Sequence, residues 1–411
     1  MSKNKLVLLQ LSDIHFMKLP DARDEYAQMR QRMYEKLEDI CKDTQMDCIL
    51  ICGDVAFSGN EEEYNQKAKV FINKVLKKTA LKSEQVFMVP GNHDKNREAE
   101  YLSTRELLRD GVLYNSFGAQ HFFDLYKDEN DVFEKWLRPF DAYIKFAYDY
   151  RCVSDAVLNT ITNKQKTFND LFYWYYSLDI GKYKLKLHGI NSCYGSDKND
   201  SKHDQILPKE LYHTIKNRNV INVSVMHHPL EFVNDRETVE KEIDNLYPIQ
   251  FYGHIHRQSI EHNGALKIFS GAFMPPKKEG EKDEEYRPIF NIIECIECDD
   301  GINLVVNPYK WKWIDKNDGL FERIKPETYH IKVDDNNRVE EVSEKPLKLP
   351  KGVTQRSLEI DFLRNDRSDE IMQDMYKDME LHNDPVLDAS TFFERLRKDD
   401  RYEELYNYIH V

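Results

Sequence analysis

Short apolar runs alternate along the chain with longer stretches in which apolar residues recur every three or four positions. Leu6–Leu11 reads as a buried strand ending at Ser12-Asp13, and beyond it Tyr26, Met29, Met33, Leu37 and Ile40 share one face of a helix. Cys48–Cys52 is a second buried strand, ending at Gly53-Asp54, and Tyr64, Ala68, Phe71, Ile72 and Val75 mark a second helix. Val86–Val89 is a third strand, stopped by Pro90-Gly91. Strand, helix, strand, helix, strand predicts parallel strands joined by right-handed crossovers.

From Asn96 to about Asn169 the rhythm breaks. No strong strand occurs there, and Phe133, Trp136, Phe140, Tyr143 and Ala147 predict a helix over Val132–Tyr150, so the region reads as a helical insertion over about 96–170. Strands resume at Phe172–Ile180 and Tyr183–Asn191 around Gly181. A helix near Pro208–Lys216 leads into a strand over Val220–Met226, and Ile249–Tyr252 is another strand. Further strands fall around Leu266–Phe269, Pro288–Glu294 and Ile302–Val306, the last two joined by the turn Asp299-Asp300-Gly301. The aromatics of Phe172–Tyr176 read as sheet core, and Tyr309-Lys-Trp311-Lys-Trp313 alternates like an edge strand. Composition shifts after about residue 325. Val333–Pro350 is charged and marked by proline, a linker or edge ribbon, and Leu358 to Ile409 is helical in pattern. The expected organisation is a main domain over 1–325 containing the insertion, then a linker and C-terminal helical segment over 326–411.

Bulk properties narrow the classes. With 411 residues, 40% hydrophobic and 12% aromatic, the chain can bury a proper core. No apolar run approaches the roughly 20 residues of a membrane span, and the N-terminus carries no secretory pattern. Seven scattered cysteines suit reduced thiols in a cytoplasmic protein better than a disulfide framework. Cys295-Ile-Glu-Cys298 lies in a strand-like run, where residues three apart face opposite ways, which disfavours a shared zinc or redox role. A net charge of −14 gives no overall field attracting long nucleic acid and favours a small or partner-delivered substrate.

The chemistry sits at strand ends, where open α/β sheets place ligand sites. Asp13-Ile-His15, Gly53-Asp54, Gly91-Asn92-His93-Asp94, His227-His228 and Gly253-His254-Ile255-His256 each interrupt or follow an apolar strand. Polar groups leaving a buried strand must be satisfied, and divalent ions satisfy several at once. The Asp-x-His and His-x-His spacings point two side chains the same way, and glycine before Asp54, Asn92 and His254 lets the backbone turn tightly. Taken singly, each cluster is better explained by a turn or a cap; the ordered set of five is not. His121, His188, His203, His262 and His330 have no ligand spacing and read as surface or core residues.

The ordered set resembles the calcineurin-like metallophosphoesterase superfamily over residues 6 to about 310. Gln10-Leu-Ser-Asp13-Ile-His15-Phe16, Gly91-Asn-His-Asp94, Met226-His-His-Pro229 and Gly253-His-Ile-His-Arg257 look most like its cyclic-nucleotide phosphodiesterase-like branch. The resemblance implies a four-layer α/β/β/α sandwich, two mixed sheets facing each other with helices outside. It implies that Asp13, His15 and His256 hold one divalent metal ion, that Asn92, His227 and His254 hold a second, and that Asp54 bridges both. Oxygen and imidazole donors without thiolate suit manganese, with iron or zinc as alternatives. Such a pair, about 3.5–4 Å apart, lowers the pKa of a bridging water and clamps a phosphate for in-line attack. His93 would protonate the departing oxygen, oriented by Asp94. His228 and Arg257 are weaker candidates, for support of the ligands and for phosphate contact.

Two departures are informative. Purple acid phosphatases carry a tyrosine three residues after the bridging aspartate, and here that position is Phe57, so a tyrosinate-bound ferric ion is not expected. Gly53-Asp54-Val-Ala-Phe-Ser-Gly59 also departs from the DNA-repair nuclease branch, which reads Gly-Asp followed closely by Phe-Asp. The expected activity is phosphodiester hydrolysis on a nucleotide or nucleic acid. The alternatives are a phosphomonoesterase and a metal-bound scaffold subunit of a larger complex. The C-terminal helices would dock a protein partner or a second copy.

Overall fold

A computed structural model describes residues 3–18, 24, 26–99, 137–153, 173–196, 200–275, 287–314, 318–333 and 339–341, together with scattered helical positions over 358–396 and the segment 402–410. Most of the expected insertion (100–136 and 154–172) and the segment 342–357 lie outside the described residues. The chain divides into two compact units, 1–341 and 342–411.

The first strands follow the sequence pattern: β1 (Lys5–Leu11), β2 (Cys48–Ile51) and β3 (Val86–Met88) are parallel neighbours. Helices α1 (Ala27–Asp43) and α2 (Lys69–Thr79) make the crossovers. A short α3 (Asp141–Tyr148) is the described part of the insertion's helix. β4 (Tyr173–Ile180), β5 (Tyr183–Ile190), β6 (Val220–Val225), β7 (Ile249–Tyr252), β8 (Gln258–Asn263) and β9 (Ala265–Ser270) form a six-stranded sheet in the order β4-β5-β6-β7-β9-β8. Between β5 and β7 lie α4 (Lys209–Tyr212), a single turn where a longer helix was expected, and α5 (Arg236–Leu246). β10 (Ile289–Cys298), β11 (Gly301–Trp313), β12 (Gly319–Arg323), β13 (Glu327–Lys332) and β14 (Val339–Glu341) return to the first sheet. That sheet has eight strands, ordered β14-β13-β11-β10-β1-β2-β3, with β12 pairing β11.

Period-two burial explains the layers. Leu6, Leu8 and Leu50 of the first sheet share a buried cluster with Leu185, Val223, Ile249 and Ile268 of the second, so these faces meet. The alternate residues Val7, Leu9, Ile49 and Ile51 belong to a cluster with Met29, Met33 and Leu37 of α1 and Phe71, Ile72 and Val75 of α2. Both faces of β1 and β2 are therefore covered, which is why they read as continuous apolar runs. α5 covers the second sheet, where Lys267 of β9 pairs with Glu240 and Gln250 of β7 donates to Asp244. The result is the four-layer α/β/β/α sandwich.

Three expectations change. The first unit runs past the anticipated boundary at about 325, because β13 and β14 extend the sheet to Glu341. Within the Tyr309–Trp313 stretch, Tyr309 and Lys310 are no edge, since β11 lies between β10 and β12 there, and Trp311 is buried, whereas Trp313 pairs with β12 alone and is exposed. Tyr175 and Tyr176, read as core, are exposed on β4. All seven cysteines are free thiols, and among the described residues no helix is long and apolar enough to cross a membrane. The second unit has its own apolar cluster, including Leu358, Phe362, Met375, Phe392, Leu396 and Leu405, and ends in α6 (Tyr402–His410).

One buried titratable group of the fold gives a pH test. His188 of β5 lies against Asn222 of β6, with Nε2 3.2 Å from its Oδ1, and burial pushes its pKa from 6.5 down to about 4. A histidine held neutral in the folded state leaves stability intact above pH 6.5 and costs it as pH falls toward 4, where the unfolded chain takes up the proton first. That loss amounts to about 3 kcal/mol. Urea unfolding of the wild type should weaken by that much more than His188→Gln between these pH values; parallel curves would refute the assignment.

Candidate metal centre

The polar clusters meet where the two sheets face each other, at the C-terminal ends of β1, β2, β3, β6 and β7. The backbone there is unusual. Asp13, His15, Asp54, His254 and His256 all have positive φ, between 52° and 69°, a region costing non-glycine residues on the order of 1–3 kcal/mol each. Local hydrogen bonds enforce it: Asp13 N–H donates to Gly53 O (3.1 Å), and the N–H groups of Ile14 and His15 converge on Asp54 O (2.8 and 3.0 Å). Glycine is required for space at several of these turns. A Cβ on Gly53, itself at φ 93°, would stand 2.5 Å from His227 Nδ1, and one on Gly91 would stand 2.0 Å from Asp54 Oδ1.

Each carboxylate uses one oxygen to anchor itself and turns the other inward. Asp54 Oδ1 accepts the His93 N–H at 2.8 Å, while Oδ2 lies 3.8 Å from His15 Nε2 and 3.4 Å from His227 Nε2. Asp13 Oδ2 accepts the His254 N–H at 3.2 Å, while Oδ1 faces His256 Nε2 at 3.2 Å and His15 Nε2 at 3.9 Å. Nitrogens face nitrogens as well. His15 Nε2 is 3.3 Å from His256 Nε2, and His254 Nδ1 is 3.3 Å from His227 Nε2, which is 3.0 Å from Asn92 Oδ1. His227 Nδ1 donates to Cys52 O at 2.8 Å, leaving the Nε2 lone pair for the centre. Donor atoms thus gather at two foci, Asp13–His15–His256 and Asn92–His227–His254, with Asp54 Oδ2 between them.

Such convergence of lone pairs is repulsive unless a cation sits among them. The buried Asp13 Oδ1 and His15 Nδ1 have no hydrogen-bond partner. Burial alone would raise the pKa of Asp54, yet His227 and His15 hold it well below the usual carboxylate range, and Asp13 is likewise lowered by His256 against its burial. Burial drives His15 down to about 4 despite Asp54 and Asp13, and drives His254 well down, aided by His228. His227 goes the other way, to about 9, because Asp54 outweighs its burial. A cation held there would stand where that proton is. Groups containing Asp13–His15–His256, Asp13–Asp54–His227 and His227–His228–His254 have donor atoms within 4.8 Å of one another. The residues present fit divalent ions.

The other predicted residues take more specific places. His93 is half-buried, its ring 4.7 Å from that of His15, and its Nδ1 is 2.7 Å from Phe57 O. The expectation that Asp94 orients His93 is therefore corrected: a backbone carbonyl does so. The buried Asp94 carboxylate instead accepts N–H groups from Val55 (3.1 Å), Ala56 (2.8 Å) and Gly91 (2.9 Å) and the Tyr64 hydroxyl (2.8 Å). Desolvation and nearby Asp54 raise its pKa to about 6. It staples the Asp54 loop to the Asn92 loop. His228 is fully buried between Ser192 Oγ (3.1 Å from Nδ1) and Asp200 Oδ2 (3.3 Å from Nε2), its ring 4.5 Å from that of His254. Arg257 is exposed.

Sequence reasoning missed several supports. Glu63, in a π-helical turn (Glu63–Ala68), accepts the N–H groups of Ser58 (3.0 Å) and Asn60 (3.2 Å). Lys95 is buried and donates to Tyr194 O and Ser196 O at 3.3 and 2.8 Å. Phe232 sets its ring edge-on to His254 at 4.6 Å. None has a motif; the only early signal was the run of short polar residues around each strand end.

An uncharacterized metallophosphoesterase-like protein, YydB, of Bacillus subtilis (strain 168) is 27% identical over 366 residues, covering 84% of this chain and 67% of that protein. Among solved structures, Vps29 of Chaetomium thermophilum is 9% identical, with a TM-score of 0.32, over 79% of this chain and 97% of that one. Purple acid phosphatase PPD1 from yellow lupin (Lupinus luteus) seeds is 12% identical, with a TM-score of 0.39, over 79% of this chain and 54% of that one. The profile of the calcineurin-like phosphoesterases matches residues 6–258, more than half of the 411, and the chain belongs to that family.

Proposed function

We propose that the chain hydrolyses phosphodiesters of nucleotide or nucleic-acid type with two divalent ions, manganese first, iron or zinc as alternatives. Family membership supports metal-dependent phosphoester hydrolysis in general. The observation that carries the two-ion reading is Asp54 Oδ2, which stands between the two donor foci. Asp13, His15 and His256 would hold one ion, Asn92, His227 and His254 the other, and Asp54 both. The ions supply charge neutralisation on the phosphate and a lowered pKa for the attacking water; an oxygen and nitrogen donor set without thiolate supports manganese.

The chain's own residues supply the rest. His93 protonates the departing oxygen: with its Nδ1–H committed to the Phe57 carbonyl, the imidazolium has its Nε2 proton left to give. Asp94 keeps the Asp54 and Asn92 loops in register and does not touch the ring. Beside His93, Phe57 is 36% exposed, and Met17, brought alongside by the Phe16–Ala56 bridge, is 42% exposed. This apolar rim supports an organic leaving group, which monoesters and diesters share; the diester reading rests on the likeness of the motifs to the cyclic-nucleotide phosphodiesterase-like branch. Turnover of bis-p-nitrophenyl phosphate above p-nitrophenyl phosphate with added manganese tests that; the reverse order makes the enzyme a phosphomonoesterase.

Asp54→Ala removes the residue between the foci and leaves converging histidines without their central anion. Metal analysis should show loss of one or both ions, with activity near background. Full metal content with normal turnover in this variant would sink the two-ion reading.

His93→Asn should keep the metal and the substrate affinity while turnover drops by about 10²–10⁴-fold. The loss should shrink for a p-nitrophenolate leaving group and be largest for a ribose alkoxide. A penalty equal for both, or a parallel fall in metal content, shows that His93 is not the acid.

The second unit, with its separate apolar cluster, is proposed as the docking element for a protein partner or a second copy. Deleting 342–411 should leave small-substrate turnover intact and change the oligomeric state measured by light scattering, or abolish partner capture. Insolubility of the remaining chain would show that the segment completes the fold instead.

A further inference from the structure

The Cys295–Cys298 pair finds no use in the phosphoesterase centre. Period two along β10 sends Cys295 into the core between the sheets and leaves Cys298 half-buried on the other face. There Cys298 meets residues far away in sequence. Asn303 of β11 and His330 of β13 are direct cross-strand partners, and Cys298 lies beside them at the β10–β11 hairpin. His330 Nδ1 is 3.6 Å from Cys298 Sγ and 3.0 Å from Asn303 Oδ1, and Asn303 Oδ1 is 3.9 Å from Cys298 Sγ. On its far side, His330 Nε2 lies 3.1 Å from Asp300 Oδ1.

We propose that Cys298 and His330, with Asn303 beside them, form a second metal site, for a single thiophilic divalent ion of the zinc class. At bond lengths of about 2.3 Å to sulfur and 2.0–2.1 Å to imidazole nitrogen, two donors on a tetrahedron stand about 3.5 Å apart, which is the separation of Sγ and Nδ1. The Asn303 oxygen, 3.0 Å from Nδ1 and 3.9 Å from Sγ, takes a third corner by shifting a few tenths of an ångström away from the imidazole and toward the sulfur. Asp300 accepts the Nε2–H, which fixes the tautomer with the Nδ1 lone pair toward the sulfur, as carboxylates do behind metal-bound histidines. Cys298, Asp300 and His330 have donor atoms within 4.8 Å of one another. Asp300 is exposed, so an ion reaches the site from solvent. Binding releases the thiol proton to solvent and no electron is transferred. The site belongs to the opposite end of the sheet from the phosphoesterase centre: Ile296 pairs with Lys5 at the start of β1, whereas Asp13 follows its end. Without an ion, the same contacts would be met by an imidazolium donating to Asp300 and Asn303, the alternative that the experiment separates.

The test uses the reduced full-length protein titrated with cobalt(II). None of the proposed ligands of the phosphoesterase centre is a sulfur, but Cys193 Sγ lies 3.6 Å from His228 Nδ1 there, so a sulfur-to-cobalt charge-transfer band in the near ultraviolet is assigned to this site by its response to Cys298→Ser. The band should saturate at one sulfur-bound ion per chain, vanish in Cys298→Ser, and require about 10- to 100-fold more cobalt in Asp300→Asn. It should persist in Cys41→Ser, and Cys298→Ser should hydrolyse phosphoesters like the wild type. Zinc should also slow alkylation of Cys298 by iodoacetamide in the wild type, read by mass spectrometry, which needs no variant to fold. Absence of the band, its survival in Cys298→Ser, or alkylation unaffected by zinc each overturns the proposal.

Discussion

Asp54 is a buried anion wedged between two groups of histidines, and most of what surrounds it exists to make that tolerable. Removing a carboxylate from water costs several kcal/mol unless charges and hydrogen bonds answer it. Here one oxygen is held by the His93 N–H and the other looks into the centre. The left-handed backbone at Asp13, His15, Asp54, His254 and His256 follows from the same demand, because only sharply turned loops can bring donors from five strand ends to one point. Strain of this kind survives where neighbouring hydrogen bonds over-determine it, and the Asp13 and His15 amides bonded across to the Gly53 and Asp54 carbonyls do that.

The staple formed by Asp94 extends this constraint outward. Its carboxylate gathers three backbone N–H groups from two loops and the hydroxyl of Tyr64. Tyr64 in turn stacks on Phe146 of α3 at 4.7 Å. The described part of the insertion is therefore tied to the ligand loops through two side chains. The π-helical turn that carries Tyr64 also carries Glu63, whose buried carboxylate caps the Ser58 and Asn60 amides. Such turns are frequent at functional sites.

What could be read from the sequence followed from strong periodicity and from polar residues placed at strand ends. Runs such as Leu6–Leu11 and Cys48–Cys52 are buried on both faces, so their strands were legible, as were the ligand candidates that terminate them. β8, β12 and β13 were missed, since Gln258–Asn263 and Glu327–Lys332 are largely polar and Gly319–Arg323 sets its two large apolar residues side by side, without alternation. Tyr175 and Tyr176 misled because β4 is an edge strand, where large rings can stay in solvent, whereas Trp174 beside them does pack against the core. The orientation of His93 was illegible for a different reason. Its partner is a backbone carbonyl, at Phe57, and any residue there would supply the same atom; only the path of the chain decides that it points at the imidazole. Cys298 and His330 escaped for the same reason: their meeting is set by strand register.

The pairing of His15 with His256 spans 241 positions of sequence, and that separation governs when the centre can come into being. Loop-closure entropy grows only slowly with length, so the distance is thermodynamically mild; its effect is on order of events. A ribosome that has delivered β1, β2, β3 and the turn after them has made Asp54, two of the three donors of one focus (Asp13 and His15) and one of the three of the other (Asn92). Until the chain has emerged through His256 and the second sheet has closed on the first, those acidic and imidazole groups face solvent with no opposite wall. Birth of the metal centre and closure of the sandwich are one event, near the end of synthesis of the first unit.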